Sequence, residues 1–239
     1  MSQTYYEDIR IIYEDNHLLV VDKPVNMPSQ QDRSGDKDIL THLKKYIKVK
    51  YHKPGNVYLG LVHRLDRPVG GAMVFAKTSK AASRLSQQIR AREFGKRYMA
   101  VIHGIPQIKS KQGLVHYLIK DRRKNMVTVV DSSIKGAQKA VLDYEVVGQA
   151  SNMALVEIDL HTGRPHQIRV QFAAIGHPLY GDQRYGSHFN KPGQQIALWS
   201  TKINLVHPTL REDMTFVSLP PLLYPWDIFD HINCQYKSR

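Results

Sequence analysis

Short blocks of apolar residues, few longer than seven, are separated along this chain by charged turns. Ile9–Tyr13 and His17–Asp22 are β-branched or aliphatic runs parted by Glu14, Asp15 and Asn16, a pattern that predicts two strands joined by a turn. Lys23-Pro24 ends the second, since proline cannot donate to a strand ladder. From Ile39 to His52 the positions Ile39, Leu43, Tyr46 and Ile47 recur at helical spacing. Lys44, Lys45, Lys48 and Lys50 fall on the other side, as on a solvated helix face. Leu59–Lys77 is rich in glycine and β-branched residues. Ser79 is a candidate cap for a helix that buries Ala82, Leu85 and Ile89 and exposes Arg84, Arg90 and Arg92.

Further strands are expected at Tyr98–His103, Leu114–Lys120, Met126–Val130, Ala140–Val147 and Met153–Leu160, then at Ile196–Val206 and Met214–Leu219. Short turns between them favour antiparallel pairing over βαβ units. Pro165 fits the first turn of a helix that buries Ile168, Phe172 and Ile175 and ends at Gly176. The joints Gly104–Gly113, Ser132–Lys139 and Gly186–Gln194 are short enough to be loops within one fold. The expected class is α+β, a mainly antiparallel sheet flanked by helices and loops. It would form one domain over residues 1–239, or two intimate lobes.

Composition narrows the setting. Apolar residues make up 42% of the 239 positions and charged residues 23%, as in an ordinary globular protein. The formal net charge of +13 has no separate tail to hold it, and it points to a polyanionic partner such as nucleic acid. The lone cysteine, Cys234, cannot form an intramolecular disulfide, which fits a reducing compartment. No apolar run approaches the ~20 residues of a membrane helix. Glu7, Asp8, Glu14 and Asp15 leave no apolar leader at the N-terminus. The cytoplasm is the expected location, with a monomer as the default and no obligate protein partner.

Common catalytic signatures are missing. The chain has no Walker-type glycine loop, no Gly-x-Gly-x-x-Gly after a strand, no His-Glu-x-x-His and no Gly-x-Ser-x-Gly. Its 12 histidines are dispersed, so no metal is expected. Two polar clusters remain. In His63-Arg64-Leu65-Asp66-Arg67, an aspartate between arginines must be paired or solvated, and guanidinium neighbours would keep it ionised. An ionised, positioned carboxylate suits a nucleophile or a stabiliser of a cationic sugar, although a surface ion pair would look the same in sequence. The second cluster runs from Thr162-Gly163-Arg164 through Pro165-His166-Gln167-Ile168-Arg169 to Gly176-His177-Pro178 and Gly181-Asp182. Arg164 and Arg169 lie at or near a helix start, where backbone N–H groups favour anions.

Taken together, these clusters resemble the RluA-type family of pseudouridine synthases over nearly the whole chain. His63-Arg64-Leu65-Asp66-Arg67 is similar to that family's His-Arg-Leu-Asp and following basic residue. Lys96-Arg97-Tyr98 resembles its Lys-x-Tyr segment, the Thr162–Asp182 stretch its third motif, and Glu14-Asp15 through Asp22-Lys23-Pro24 a weaker fourth. Where the family commonly has Thr-Ser-Gly after the aspartate segment, this chain has Val69-Gly70-Gly71. Many relatives carry an N-terminal RNA-binding domain of the S4 type; with a strand expected from Ile9, none is anticipated here.

The resemblance implies the pseudouridine synthase fold and an isomerase that detaches uracil from ribose, turns it and rejoins it through carbon, with no cofactor. It implies Asp66 as the indispensable carboxylate, with its step (attack on sugar, attack on base, or proton removal) left open. Tyr98 is expected against the target base, Arg169 as the partner of Asp66, and Arg64 in the gap left by the extruded base. His63 is expected to be structural. RNA phosphate contacts are expected from Arg67, Arg84, Arg90, Arg92 and Arg164, and from Arg122, Arg123 and Lys124 beside Lys120. The partner would be ribosomal or transfer RNA. Two rivals stay open: a catalytically inactive RNA-binding or assembly protein of the same fold, and a base-excising glycosylase, which would release free uracil.

Overall fold

The computed structural model describes residues 4–32, 34–107, 110–230, 232 and 234. The chain forms two compact units, one of residues 1–95 with 200–219 and one of residues 96–199 with 220–239. It is an α+β protein.

The first unit is built on β1 (Thr4–Tyr6), β2 (Ile9–Glu14), β3 (Leu18–Lys23), β5 (Gly70–Ala76), β11 (Leu198–Val206) and β12 (Asp213–Val217), neighbours in that order, with the two-residue β4 (Gly60–Leu61) beside β5. β3 and β5 are in register from Leu18 opposite Ala76 to Lys23 opposite Gly71. They are buried on both faces, which explains their near-continuous apolar sequences. The core around them joins Leu18, Val20, Val74, Leu85, Phe94, Ile203, Leu205 and Phe216.

Helix α1 (Ile39–Lys50) buries Ile39, Leu43, Tyr46 and Ile47 as its spacing predicts, and Asp38 caps it by accepting from the Thr41 N–H. Helix α2 (Ser79–Ala91) differs in detail from the expectation. Thr78, not Ser79, accepts from the Ala81 N–H and caps it. The buried stripe is Ala81, Leu85 and Gln88, with Ala82 and Ile89 half-buried. A glutamine is accommodated there because its amide acts as a strand neighbour: Nε2 donates to the Val206 carbonyl at 2.8 Å and Oε1 accepts from the Val206 N–H at 3.1 Å. The segment 62–69 between β4 and β5 is a loop, so Leu59–Lys77 is not one continuous element.

The second unit places β6 (Gly95–His103), β10 (Met153–Leu160), β9 (Gln138–Ala150), β7 (Gln112–Asp121) and β8 (Met126–Val130) side by side in that order. Its core joins Met99, Val101, Met153, Leu155, Ala197, Trp226, Phe229 and Ile232. The pairs β1–β2, β2–β3, β3–β5, β4–β5, β6–β10, β7–β8, β7–β9, β9–β10 and β11–β12 are all antiparallel. Helix α3 (Gln167–Ala174) starts two residues after Pro165, which therefore sits in the approach rather than the first turn. His166 at φ 51° is the cap position, and that backbone conformation delays the helix. Ile168 and Phe172 are buried as expected, but Ile175 is half-buried because it caps the C-terminus before Gly176 at φ 81°.

Glu14 ties the first unit together. Its carboxylate accepts from Tyr46 Oη (2.7 Å), Lys50 Nζ (2.7 Å), Tyr51 Oη (2.8 Å) and Lys77 Nζ (2.8 Å). Burial alone would raise its pKa, but these hydrogen bonds more than offset that and hold it down at about 2 instead of 4.5. A depressed carboxylate adds stability that is complete above its unfolded pKa. That share should fall away as pH drops from about 4.5 towards 2. In Glu14→Gln, denaturant titrations at neutral pH should show a loss of about 2 kcal/mol, and the slope of stability against pH below 4.5 should flatten relative to wild type.

Candidate active site

The aspartate-bearing loop is held from beneath by two side chains. Ser29, buried at 6% exposure, donates its Oγ hydrogen to the Leu65 carbonyl at 2.7 Å and accepts from the Leu65 N–H at 3.2 Å. Leu65 itself is buried, so the residue before Asp66 is pinned by both its backbone groups and its side chain. The Asp66 carbonyl then accepts from the Val69 N–H at 3.0 Å and closes a turn. Asp66 is half-buried. At Gly71 the chain takes φ +112°, and a Cβ there would collide with the backbone of Ser200. Only glycine fits that position. The Val69-Gly70-Gly71 departure thus keeps the one glycine that the crossing demands.

Lys23 is the second support, and its side chain is fully buried. Nζ donates to the carbonyls of Pro24 (2.9 Å), Met27 (2.7 Å) and Arg67 (3.2 Å). Three acceptors match the three N–H donors of an ammonium. Burial pushes its pKa down to about 7, with the Asp66 charge acting against the fall and Arg67 adding to it. A buried cation at hydrogen-bond reach of the Arg67 carbonyl therefore biases the loop that carries the carboxylate. In the sequence Lys23 stands at the end of a strand and within the weaker fourth motif, with nothing to show that its side chain supports this loop.

The flanking arginines part company. Arg64 is exposed. Arg67 is tied down: its Nε donates to the Asn26 carbonyl at 3.2 Å and its Nη2 pairs with Asp36. His63 accepts at Nε2 from the Val74 N–H at 3.0 Å, and its ring packs on Phe94.

In the second unit, Tyr98 lies on β6 opposite Ile158 and is buried at 6% exposure. Arg169 projects from α3 and is buried. Its Nε and Nη2 bind Asp182 in a two-point grip, both at 2.8 Å, and its guanidinium stacks over the Tyr185 ring at 5.3 Å. Asp182, at 1% exposure, also accepts from the N–H groups of Arg184 and Tyr185. In the sequence Asp182 stands within the third motif, with no task assigned to it. The available signal was an acidic residue directly after Gly181, whose φ of +76° lies where a Cβ would strike Gln195.

The approach to α3 is braced by Gln167. Its Oε1 accepts from the Thr162 hydroxyl (2.8 Å) and the Arg164 N–H (3.0 Å), and its Nε2 donates to the Val141 carbonyl (3.2 Å). Thr162 Oγ1 accepts in turn from the Val141 N–H. Arg164 is half-buried, with its Nε on the Lys139 carbonyl at 3.1 Å.

Among the other expected RNA contacts, Arg90 and Arg92 are exposed, and Arg122, Arg123 and Lys124 are exposed in the turn between β7 and β8. Asp121 holds that turn by accepting from the N–H groups of Arg123 (2.8 Å) and Lys124 (3.1 Å). Arg84 is corrected from exposed to half-buried, because its Nη1 reaches back to the Pro208 carbonyl.

The family model for RNA pseudouridylate synthases matches residues 17–174. An uncharacterized RNA pseudouridine synthase of Bacillus subtilis is 34% identical over 212 residues, 87% of this chain and 67% of that protein. Ribosomal large subunit pseudouridine synthase C of Buchnera aphidicola is 30% identical over 206 residues, 83% of this chain and 63% of that protein. The chain thus spans about two thirds of the length of the curated relatives it matches. Human RNA pseudouridylate synthase domain containing 4 has the same fold, with a TM-score of 0.74 at 24% identity over 88% of each chain.

Asp182→Asn would leave the buried Arg169 guanidinium without its full counter-charge. Breaking a buried pair from one side costs about 3–5 kcal/mol. Thermal unfolding followed by circular dichroism should show a fall of ten degrees or so, whereas a surface pair would leave the midpoint within a degree or two.

Proposed function

Because this chain belongs to the RNA pseudouridylate synthase family, we propose that it isomerises uridines in RNA to pseudouridine, with Asp66 as the indispensable carboxylate. One observation supports the choice of Asp66 above the rest. Its loop is fixed by Ser29 on the preceding residue and by the buried Lys23 ammonium on the following carbonyl, which pre-organises a carboxylate before substrate arrives.

The family resemblance assigns further roles residue by residue. It puts Tyr98 against the target base, names Arg169 among the catalytic residues, and gives the exposed Arg64 the vacancy left when the uridine leaves its stack. Unstacking costs a few kcal/mol, so a side chain that fills the gap lowers that cost. Phosphate contacts fall first on the exposed Arg90, Arg92, Arg122, Arg123 and Lys124. Arg67, Arg84 and Arg164 would have to exchange acceptors that they already hold within the protein. Such contacts position RNA and do not read its sequence.

Residues 1–239 supply this activity as one catalytic domain, working as a monomer in the cytoplasm without an obligate protein partner or cofactor. No described helix is long and apolar enough to cross a membrane. Ribosomal RNA is the first substrate class to test, since relatives bear large-subunit names, and transfer RNA the second.

The test uses total RNA from a strain lacking the gene, labelled with tritium at the uracil carbon that joins the sugar. Wild type should release tritium to water, and Asp66→Ala should lower release by at least 10³-fold, in the range of losing an essential catalytic group. Undiminished release by Asp66→Ala would overturn the assignment of that residue. No release from any RNA, despite salt-dependent binding, would favour the inactive RNA-binding protein, and free uracil would favour a glycosylase.

A further inference from the structure

Lys96 and Arg97 are consecutive cations at the start of β6, yet the fold treats them in opposite ways. Arg97 is neutralised: Nε donates to Asp159 at 2.8 Å and Nη1 to Glu157 at 3.2 Å. The register explains why, since Asp159 lies directly opposite Arg97 and Glu157 two residues along the same face of β10. The alternation of a strand turns Lys96 to the other face, together with Tyr98. On that face the residue opposite Tyr98 is Ile158. Among the described residues no carboxylate pairs with Lys96, while Nζ lies against Gly163, 3.2 Å from where a Cβ would stand. With no side chain of its own, the exposed Gly163 adds nothing further over that end of the lysine. Burial lowers the Lys96 pKa with no neighbouring charge to oppose the shift. A partly buried cation in this condition is stabilised by an arriving anion.

We propose that Lys96 binds a backbone phosphate of the RNA next to the target uridine. Every nucleotide carries phosphates on both sides of its sugar, and Lys96 lies two residues before Tyr98 on the same strand face, roughly 6.6 Å along it. A side chain on the base and a cation on the adjoining phosphodiester would fix one nucleotide at two points. Lysine suits this task as a point charge with three donors, without the fork that reads base edges. Gly163 has a purpose in the same account: any side chain there would crowd Nζ and displace the phosphate. The assignment rests on the pseudouridine reading for the identity of the nucleotide, but its charge chemistry is independent of turnover.

The experiment compares wild type, Lys96→Met and Lys96→Arg. Filter binding uses an in-vitro transcript of large-subunit ribosomal RNA at several potassium chloride concentrations, beside the tritium-release assay. Lys96→Met keeps the length of the chain and removes the charge. It should bind about tenfold more weakly, with a shallower slope of log affinity against log salt by about 0.7–0.9. Lys96→Arg should recover most of the affinity and the slope, which separates loss of charge from loss of fold. Equal affinity and equal slope in wild type and Lys96→Met would overturn the proposal. So would a lowered maximal rate with both binding measures unchanged, because that places Lys96 in the chemical step. Weakened, less salt-dependent binding by Lys96→Met, combined with no tritium release even by wild type, would uphold the phosphate contact while the pseudouridine reading falls.

Discussion

A fully buried lysine side chain is the constraint on which the first unit turns. In its charged form Lys23 has to satisfy three N–H donors away from water, and an unmet donor in that position would cost on the order of 1–3 kcal/mol. The chain meets the demand with carbonyls from three separate places, Pro24, Met27 and Arg67. The last of these lies one residue beyond Asp66. The loop cannot swing away without stranding the lysine, and the lysine cannot leave without opening the end of β3 and its pairing with Gly71. The geometry of the carboxylate is thereby made a property of the fold, not of a free loop.

The second unit solves the same problem with an ion pair. Arg169 would be intolerable on a buried helix face alone, and Asp182 makes it tolerable by a two-point grip. Asp182 is held by the two N–H groups that follow it, and Arg169 is stacked on Tyr185, which itself bonds His166 at 2.7 Å. Such a chain of fixed groups limits the rotamers that Arg169 can take. Buried pairs add little net stability, and here the two-point grip with the stacked ring fixes the orientation of the guanidinium.

Much of this was legible in the sequence. Periodicity places α1 within two residues, and Met126–Val130 and Met153–Leu160 coincide with their strands. Runs of apolar residues bounded by turns admit few alternatives. The misreadings have a common cause, because local pattern cannot see backbone conformation or distant carbonyls. His166 in the left-handed region postponed α3 past Pro165, and Gln88 entered the core because Val206, far away in sequence, needed both its donor and its acceptor. The candidate residues divide in the same way. Asp66, Tyr98 and Arg169 could be singled out through motif resemblance, whereas Ser29, Lys23 and Asp182 reveal their work only through partners 13 to 44 positions away.

Net charge, for its part, predicts a polyanionic partner without saying which cations meet it. Arg67, Arg84, Arg97 and Arg164 are basic residues whose guanidinium groups are engaged by Asp36, the Pro208 carbonyl, two carboxylates of β10 and the Lys139 carbonyl. Recruiting any of them to RNA would mean giving up a bond already made, so the gain is only the difference between two acceptors. Arg64, Arg90, Arg92, Arg122, Arg123 and Lys124 are exposed, and a phosphate there mainly displaces water and counterions. Lys96 differs from both sets, since its desolvation has been met by folding before any ligand arrives. A cation prepared in that way gains more from an anion than a solvated one does. On the proposed reading, the firm contacts with a polyanion would follow which positive charges the fold leaves available, more than how many it contains.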